Sequence, residues 1–224
     1  MAFETQKNGE PPVAAVDWRD VSTFTVGIVE RAEGRGRKQA VLGPNAVRVP
    51  RREGRERVYA PCAFFRSGAE GIRPGEWVLY EDREVRRVLC RMTQLPDEGG
   101  ERRYEVRDGA GRELGRIARI PASGKLARHS WRVEQPDRPE ILSRNRWAAF
   151  ARGEVSIRST GRLIGEAVGS AVALALDDTP EVDRSLIWRS GKETVMESSG
   201  RDFTITAKWL DVRLAFAVAV LGDD

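Results

Sequence analysis

Apolar positions in this chain alternate with polar ones over short runs, and each run stops at turn-forming residues. Over 104–117 (YEVRDGAGRELGRI), Tyr104 and Val106 alternate with polar neighbours. Asp108-Gly109-Ala110-Gly111 turns the chain, and Leu114 and Ile117 begin a return strand. The plan recurs. Trp131 and Val133 lead through Gln135-Pro136-Asp137 to Ile141, and Trp77 and Leu79 lead through Glu81-Asp82 to Arg83-Glu84-Val85. Val47 and Val49 lead through Arg52-Glu53-Gly54 to Val58, and Ile187 leads through Ser190-Gly191 to Val195. The glutamates after these turns fall at 56, 84, 113, 140 and 193, in steps of 28, 29, 27 and 53, and 155–164 (VSIRSTGRLI) fits a further hairpin inside the last step. With their Arg or Lys neighbours they read as solvated cross-strand charge pairs beside tight turns. A meander of about a dozen such strands must curl or close to protect its edges.

Two segments are too apolar and continuous for half-buried strands. In 163–176 (LIGEAVGSAVALAL), Gly161, Gly165, Gly169 and Ala173 recur every fourth residue, placing small side chains along one helical face, while the first half also suits a strand. The run is too short to span a bilayer. The second segment is 211–222, where Asp211 suits a helix N-cap, Gly222 a helix stop, and only Arg213 between them is polar. A helix apolar on every face must be surrounded by protein on every face, so this one is expected inside the closed sheet. The expected fold is therefore mainly β: a closed or nearly closed antiparallel barrel of repeated hairpins with a buried hydrophobic C-terminal helix. Residues 1–20 read as an N-terminal tail and 21–224 as a single β-rich domain.

The hairpins YEVRDGAGRELGRI (104–117) and WRVEQPDRPEIL (131–142), the strand Phe203-Thr204-Ile205 and the terminal WLDVRLAFAVAVL (209–221) together resemble the tubby C-terminal-like superfamily. That superfamily includes phospholipid scramblases and LURP-one-related proteins, and the resemblance is to a bacterial member. It implies a barrel threaded by its C-terminal helix and a non-catalytic binding role. Scramblases of this group carry an acidic calcium-binding segment near the helix. The corresponding stretch here, 198–202 (SSGRD), has one carboxylate, too few for a calcium cage. A second resemblance is to the YD-type repeats of secreted shell proteins, whose hairpins also read tyrosine–aspartate–glycine–arginine.

Composition narrows the chemistry. The chain of 224 residues carries 38 basic and 34 acidic side chains, a net charge of +4 that neither demands nor excludes a polyanionic partner. One histidine, His129, rules out multi-histidine metal sites, and neither a P-loop nor GxGxxG occurs. Cys62 and Cys90 lie in apolar strands, where thiols are inert filler, and they form no CxxC pair. No catalytic residue, metal site or cofactor is expected. Without a signal-peptide pattern in the first 20 residues, a cytoplasmic location is expected. The uneven feature is the basic stretch 31–57, read as exposed loops and edge strands, with Arg48, Arg51, Arg52, Arg55 and Arg57 as candidate anion-binding residues. These point to a binding domain for a protein partner, an anionic lipid headgroup or a hydrophobic ligand. Nucleic acid is a weaker alternative, because base-stacking aromatics are missing there apart from Tyr59. A structural component of a larger assembly and an enzyme without a local motif are the remaining alternatives.

Overall fold

The computed structural model describes residues 11–34, 39–68, 72–121, 130–145 and 185–222. The hairpin expected at 155–164, the small-faced segment 163–176 and His129 lie outside the described residues.

Twelve antiparallel strands close into a barrel, each paired with its neighbours in sequence order and the last with the first. They are β1 (Thr23–Arg31), β2 (Val41–Glu53), β3 (Glu56–Ser67), β4 (Glu76–Tyr80), β5 (Val88–Gln94) and β6 (Arg102–Asp108). The circuit continues with β7 (Glu113–Ile120), β8 (Ser130–Glu134), β9 (Ile141–Asn145), β10 (Ser185–Ser190), β11 (Glu193–Ser199) and β12 (Asp202–Ile205). Phe24 opposite Phe203 closes the ring between β1 and β12. The hairpins expected at 104–117, 131–142 and 187–195 stand where the alternation placed them, as β6–β7, β8–β9 and β10–β11. Closure follows from the alternation itself: a long meander with one apolar face leaves no other way to bury that face and pair both edges.

One hairpin returns later than its residues suggest. β4 ends at Tyr80, and β5 begins only at Val88. The Asp82 carboxylate accepts the N–H groups of Arg86 and Arg87 at 3.1 and 2.7 Å, and Val85 takes a left-handed φ of 56°. Asp82 thus holds 83–87 in a capped loop, so Arg83-Glu84-Val85 is connection rather than strand. Burial alone would raise the Asp82 pKa, but these donated N–H groups and the neighbouring guanidinium groups hold it below the usual carboxylate range.

The C-terminal helix α1 (Val212–Gly222) fills the bore. Every residue from Leu214 to Leu221 is buried, covering all faces of the helix, and all belong to one apolar cluster with inward side chains of the strands. Phe24 stacks on Phe203 at 5.1 Å and meets Phe216 edge-on at 4.8 Å, so the closing strand pair and the helix share one aromatic contact. Asp211 caps the helix through its Oδ1, which accepts the Arg213 N–H at 2.9 Å. Gln135, in the β8–β9 connection, holds the helix entrance from both sides: its Nε2 donates to the Trp209 carbonyl at 3.1 Å and its Oε1 accepts the Asp211 N–H at 2.9 Å. An apolar space beside the helix, lined by Val133, Trp188 and Leu214 among others, is about 10 Å³, room for no more than one water.

The described residues of 31–57 do not form edge strands. β1, β2 and β3 belong to the closed wall, and at its outer side β1 doubles back. In a sheet of alternating antiparallel neighbours β1 and β3 run the same way, yet Arg31 pairs antiparallel with Val58. The end of β1 must therefore reverse, and the register shifts at 27–29 and 29–31 are where it does so. With the bore occupied, the paired ends of β1 (29–31) and β2 (41–42), the described part of the hairpin tip, fold over the outside. Residues 11–20, read from the sequence as tail, lie against the same side: Val13 is buried against Val58 and Ala60, and the Val16 N–H donates to the Pro61 carbonyl at 2.9 Å.

Replacing Phe216 with Ala is expected to cost about 3–5 kcal/mol, and replacing the Asp211 cap with Ala about 1 kcal/mol. Chemical denaturation of the two variants checks both, and a Phe216→Ala protein within about 1 kcal/mol of wild type (about a fifth to a third of the expected cost) would place the helix outside the stabilising core.

Candidate anion-binding rim

The β2–β3 hairpin projects past the strand pairs that close the wall. Its ladder runs Arg51 opposite Val58, Arg52 opposite Arg57 and Glu53 opposite Glu56, and Gly54 supplies the left-handed φ of 61° that the two-residue turn requires. Arg31, on the folded-back end of β1, lies 3.1 Å from the Glu53 carboxylate and 3.9 Å from that of Glu56. Arg31 thus lies within reach of both carboxylates nearest the turn, closer to Glu53. Arg51, Arg52 and Arg55 are exposed and, among the described residues, make no ion pair or hydrogen bond. With Arg57 they line an open cleft of about 850 Å³, whose opposite wall is the N-terminal segment from Val16 to Thr23. Asp17, Asp20 and Glu56 also border it, and Asp17 is held by Arg19 at 3.2 Å.

Arg57 is more committed. Its guanidinium lies 5.5 Å from the centre of the Tyr59 ring, and its charge acts on Asp202 of β12. Burial raises the Asp202 pKa, opposed by a hydrogen bond from Thr25 and by the charge of Arg57.

Arg48 does not belong to this surface. It is 1% exposed, and its guanidinium donates to the carbonyls of Gly27, Tyr59 and Pro44 at 2.9, 3.2 and 2.7 Å. The fully buried Glu30 carboxylate lies 3.7 Å from Arg48 and 4.0 Å from Arg83, and it accepts the Val13 N–H at 3.3 Å. Gly43 packs so tightly on Glu30 that any side chain there would run into the carboxylate. Burial pushes the Arg48 guanidinium down to about 10, against the opposing pull of Glu30. The reason for the correction is the doubled-back β1–β2 tip and the N-terminal segment, which cover the outer face of the wall where an alternating Val47-Arg48-Val49 would otherwise meet water. Arg48 is a structural ion-pair member that ties four segments together. Glu30, Arg83 and Val13 went unread in the sequence because nothing local distinguishes them from other surface residues.

Neither thiol is placed for chemistry. Cys62 and Cys90 are both buried, and desolvation pushes each up to about 12, leaving them protonated at neutral pH. Among the described residues no group of three or more potential ligands is arranged to hold a metal ion, and no helix is long and apolar enough to cross a membrane.

The fold and rim define a helix-filled closed β-barrel with an open, arginine-lined cleft at one end of its wall. Comparison with protein-family models, with curated proteins and with solved structures finds no match.

Arg48→Ala is expected to cost about 3–5 kcal/mol, because it strands the Glu30 charge inside the fold, whereas Arg51→Ala should stay within about 0.5 kcal/mol of wild type. Denaturant titration of the two separates the buried arginine from the exposed one. The thiols give a second test. Their raised pKa contributes stability that is complete below the unfolded thiol value and is lost as pH rises from there toward about 12. At pH 8 both should resist iodoacetamide in the native protein and react in denaturant, as followed by mass spectrometry.

Proposed function

We propose that this protein is a non-catalytic binding module that takes a phosphate-bearing anion at the rim cleft through Arg51, Arg52 and Arg55, with Arg57 as an outer contact. The observation that carries this is three exposed arginines on one projecting hairpin, lining one cleft with no ion pair or hydrogen bond among the described residues. Arginine presents a planar fork that matches phosphate oxygens in pairs, and three converging forks favour a multiply charged ligand over a single carboxylate. Of the three ligand classes considered from the sequence, a hydrophobic ligand in the bore is the least supported, since the helix occupies it and the apolar space beside Val133, Trp188 and Leu214 is about 10 Å³. Nucleic acid is less supported as well, because Tyr59, the aromatic beside these arginines, lies under the Arg57 guanidinium rather than open to a base. A place in the tubby C-terminal-like superfamily belongs to the same reading, and the helix inside a closed antiparallel barrel supports it at the level of fold.

Inorganic tripolyphosphate tests the reading by calorimetric titration at two salt concentrations. Wild type should bind it with an affinity that falls as salt rises, and the triple change R51S/R52S/R55S should weaken binding at least tenfold, about 1.4 kcal/mol, while leaving the thermal midpoint unchanged. Wild-type protein that takes up no tripolyphosphate at low salt would reduce these arginines to solvated surface.

A further inference from the structure

β2 belongs to the closed wall, but its last residues outrun their neighbour. The ladder between β1 and β2 ends at Thr25 opposite Arg48, and β2 continues to Glu53 with only β3 beside it. The far side of β3 is occupied at this level, because Arg31 pairs with Val58 and the Ala32 N–H donates to the Arg57 carbonyl at 3.4 Å. That bond fixes which way the backbone groups of the hairpin point. Cross-strand partners in an antiparallel ladder aim their N–H and C=O groups either at each other or both outward. Arg57 aims its carbonyl outward, so its partner Arg52 aims its N–H and C=O at the opposite, bare side. Two residues back, the Pro50 carbonyl points the same way, and proline suits this position because the N–H it lacks would have faced the gap. Among the described residues nothing hydrogen-bonds to Pro50 or Arg52 from this side.

This stretch borders the arginine cleft, with the chain from Val16 to Thr23 as the far wall. Arg51 and Arg52 project to opposite faces of the hairpin, as alternation requires, yet both line the cleft. A flat surface would meet one of them. A strand laid along the bare side carries side chains on both faces and so reaches both.

We propose that the end of β2 takes up an extended, phosphorylated peptide segment of a partner protein as an added strand. Its backbone pairs with Arg52 and Pro50, and its phosphate meets the Arg52 guanidinium, with Arg51 and Arg55 flanking. The proposal rests on the phosphate-binding reading of the cleft and names the partner that carries the phosphate. In strand addition, main-chain hydrogen bonds supply affinity and alternate side chains supply selectivity. A side chain opposite Arg52 shares a face with Arg52 and Arg57, so a phosphate there stands beside two guanidinium groups. Charge selects the occupant. Arginines and a proline turn away a second copy of the same strand, which would set arginine against arginine. The same groups attract an anionic strand, and the paired oxygens of a phosphate match the guanidinium fork.

The probe is a threonine-rich synthetic peptide with one central phosphoserine, titrated into the full chain by fluorescence anisotropy beside its unphosphorylated twin. Tripolyphosphate titration runs in parallel. Wild type should bind the phosphopeptide about tenfold or more tighter than the twin. N-methylation of the phosphoserine amide, which faces the Arg52 carbonyl, should weaken binding about tenfold, whereas N-methylation of either neighbouring residue should leave it nearly unchanged. In hydrogen exchange followed by NMR, the Arg52 amide should gain protection from the phosphopeptide and none from tripolyphosphate. R51S/R52S/R55S should lose both ligands with its thermal midpoint unchanged. Wild type that binds tripolyphosphate but does not prefer the phosphopeptide to its twin overturns strand addition and leaves the anion site standing. So does binding indifferent to which amide is methylated, or an Arg52 amide that stays unprotected. Absence of tripolyphosphate binding overturns the anion site and this proposal with it, and phosphopeptide binding that survives in the arginine variant overturns both. Single-stranded DNA that displaces the phosphopeptide and binds more tightly would assign the cleft to nucleic acid and overturn the proposal.

Discussion

The contact among Phe24, Phe203 and Phe216 brings together the three elements on which the molecule depends. Phe24 and Phe203 face each other across the pair that closes the ring, and Phe216 presses on them from the helix in the bore. A twelve-stranded barrel is wide enough to leave an unfilled interior, and empty apolar space forfeits the dispersion contacts that hold a core together. The helix supplies those contacts. Its all-round apolar surface is tolerable only because the strands surround it, so ring and helix stabilise each other and neither has a folded role alone.

Filling the bore has a consequence for function. Larger closed barrels can enclose a ligand cavity, and here the C-terminal helix occupies the interior, while the open cleft lined by Arg51, Arg52 and Arg55 lies at the end of the wall. The outer wall is not uniform. The reversal of β1 lays a second layer over β2 and β3, and under that layer the Glu30–Arg48 pair is taken out of water. A pair buried in this way contributes little net stability against an apolar substitute, yet it disfavours alternatives, because any displacement of the N-terminal segment, of β2 or of the 83–87 loop leaves a charge uncompensated. The same reversal carries Arg31 to Glu53 and Glu56, while Arg51, Arg52 and Arg55 of the same hairpin make no ion pair or hydrogen bond among the described residues. The buried ion pair and the contact of Arg31 with the rim therefore both follow from one bend in one strand.

Much of the fold was legible because its signals are local. Alternation over a few residues, Asp-Gly turn chemistry at 108–111 and Ser-Gly at 190–191, and a capped all-apolar run at 211–222 each act within a dozen residues, and each stands in the structure as read. The β4–β5 connection was misjudged by a few residues because the Asp82 side chain competes for backbone N–H groups, an effect that alternation does not register.

The sequence by itself determined that this chain makes hairpins, that they must close, and that one apolar helix must be enclosed, since period-two patterning, turn residues and transfer of apolar surface out of water depend only on which residues are near in the chain. It could not rank the arginines. Arg48, Arg51, Arg52, Arg55 and Arg57 occur within the ten residues 48–57 (RVPRREGRER), and a guanidinium group is chemically the same at each position. Only the tertiary structure decided that Arg48 is enclosed beside Glu30, that Arg57 is engaged by Tyr59 and Asp202, and that Arg51, Arg52 and Arg55 line an open cleft. The physical reason is that a charge takes its role from the solvent and partners around it, and these are set here by segments distant in sequence, the N-terminal strip and the reversed end of β1.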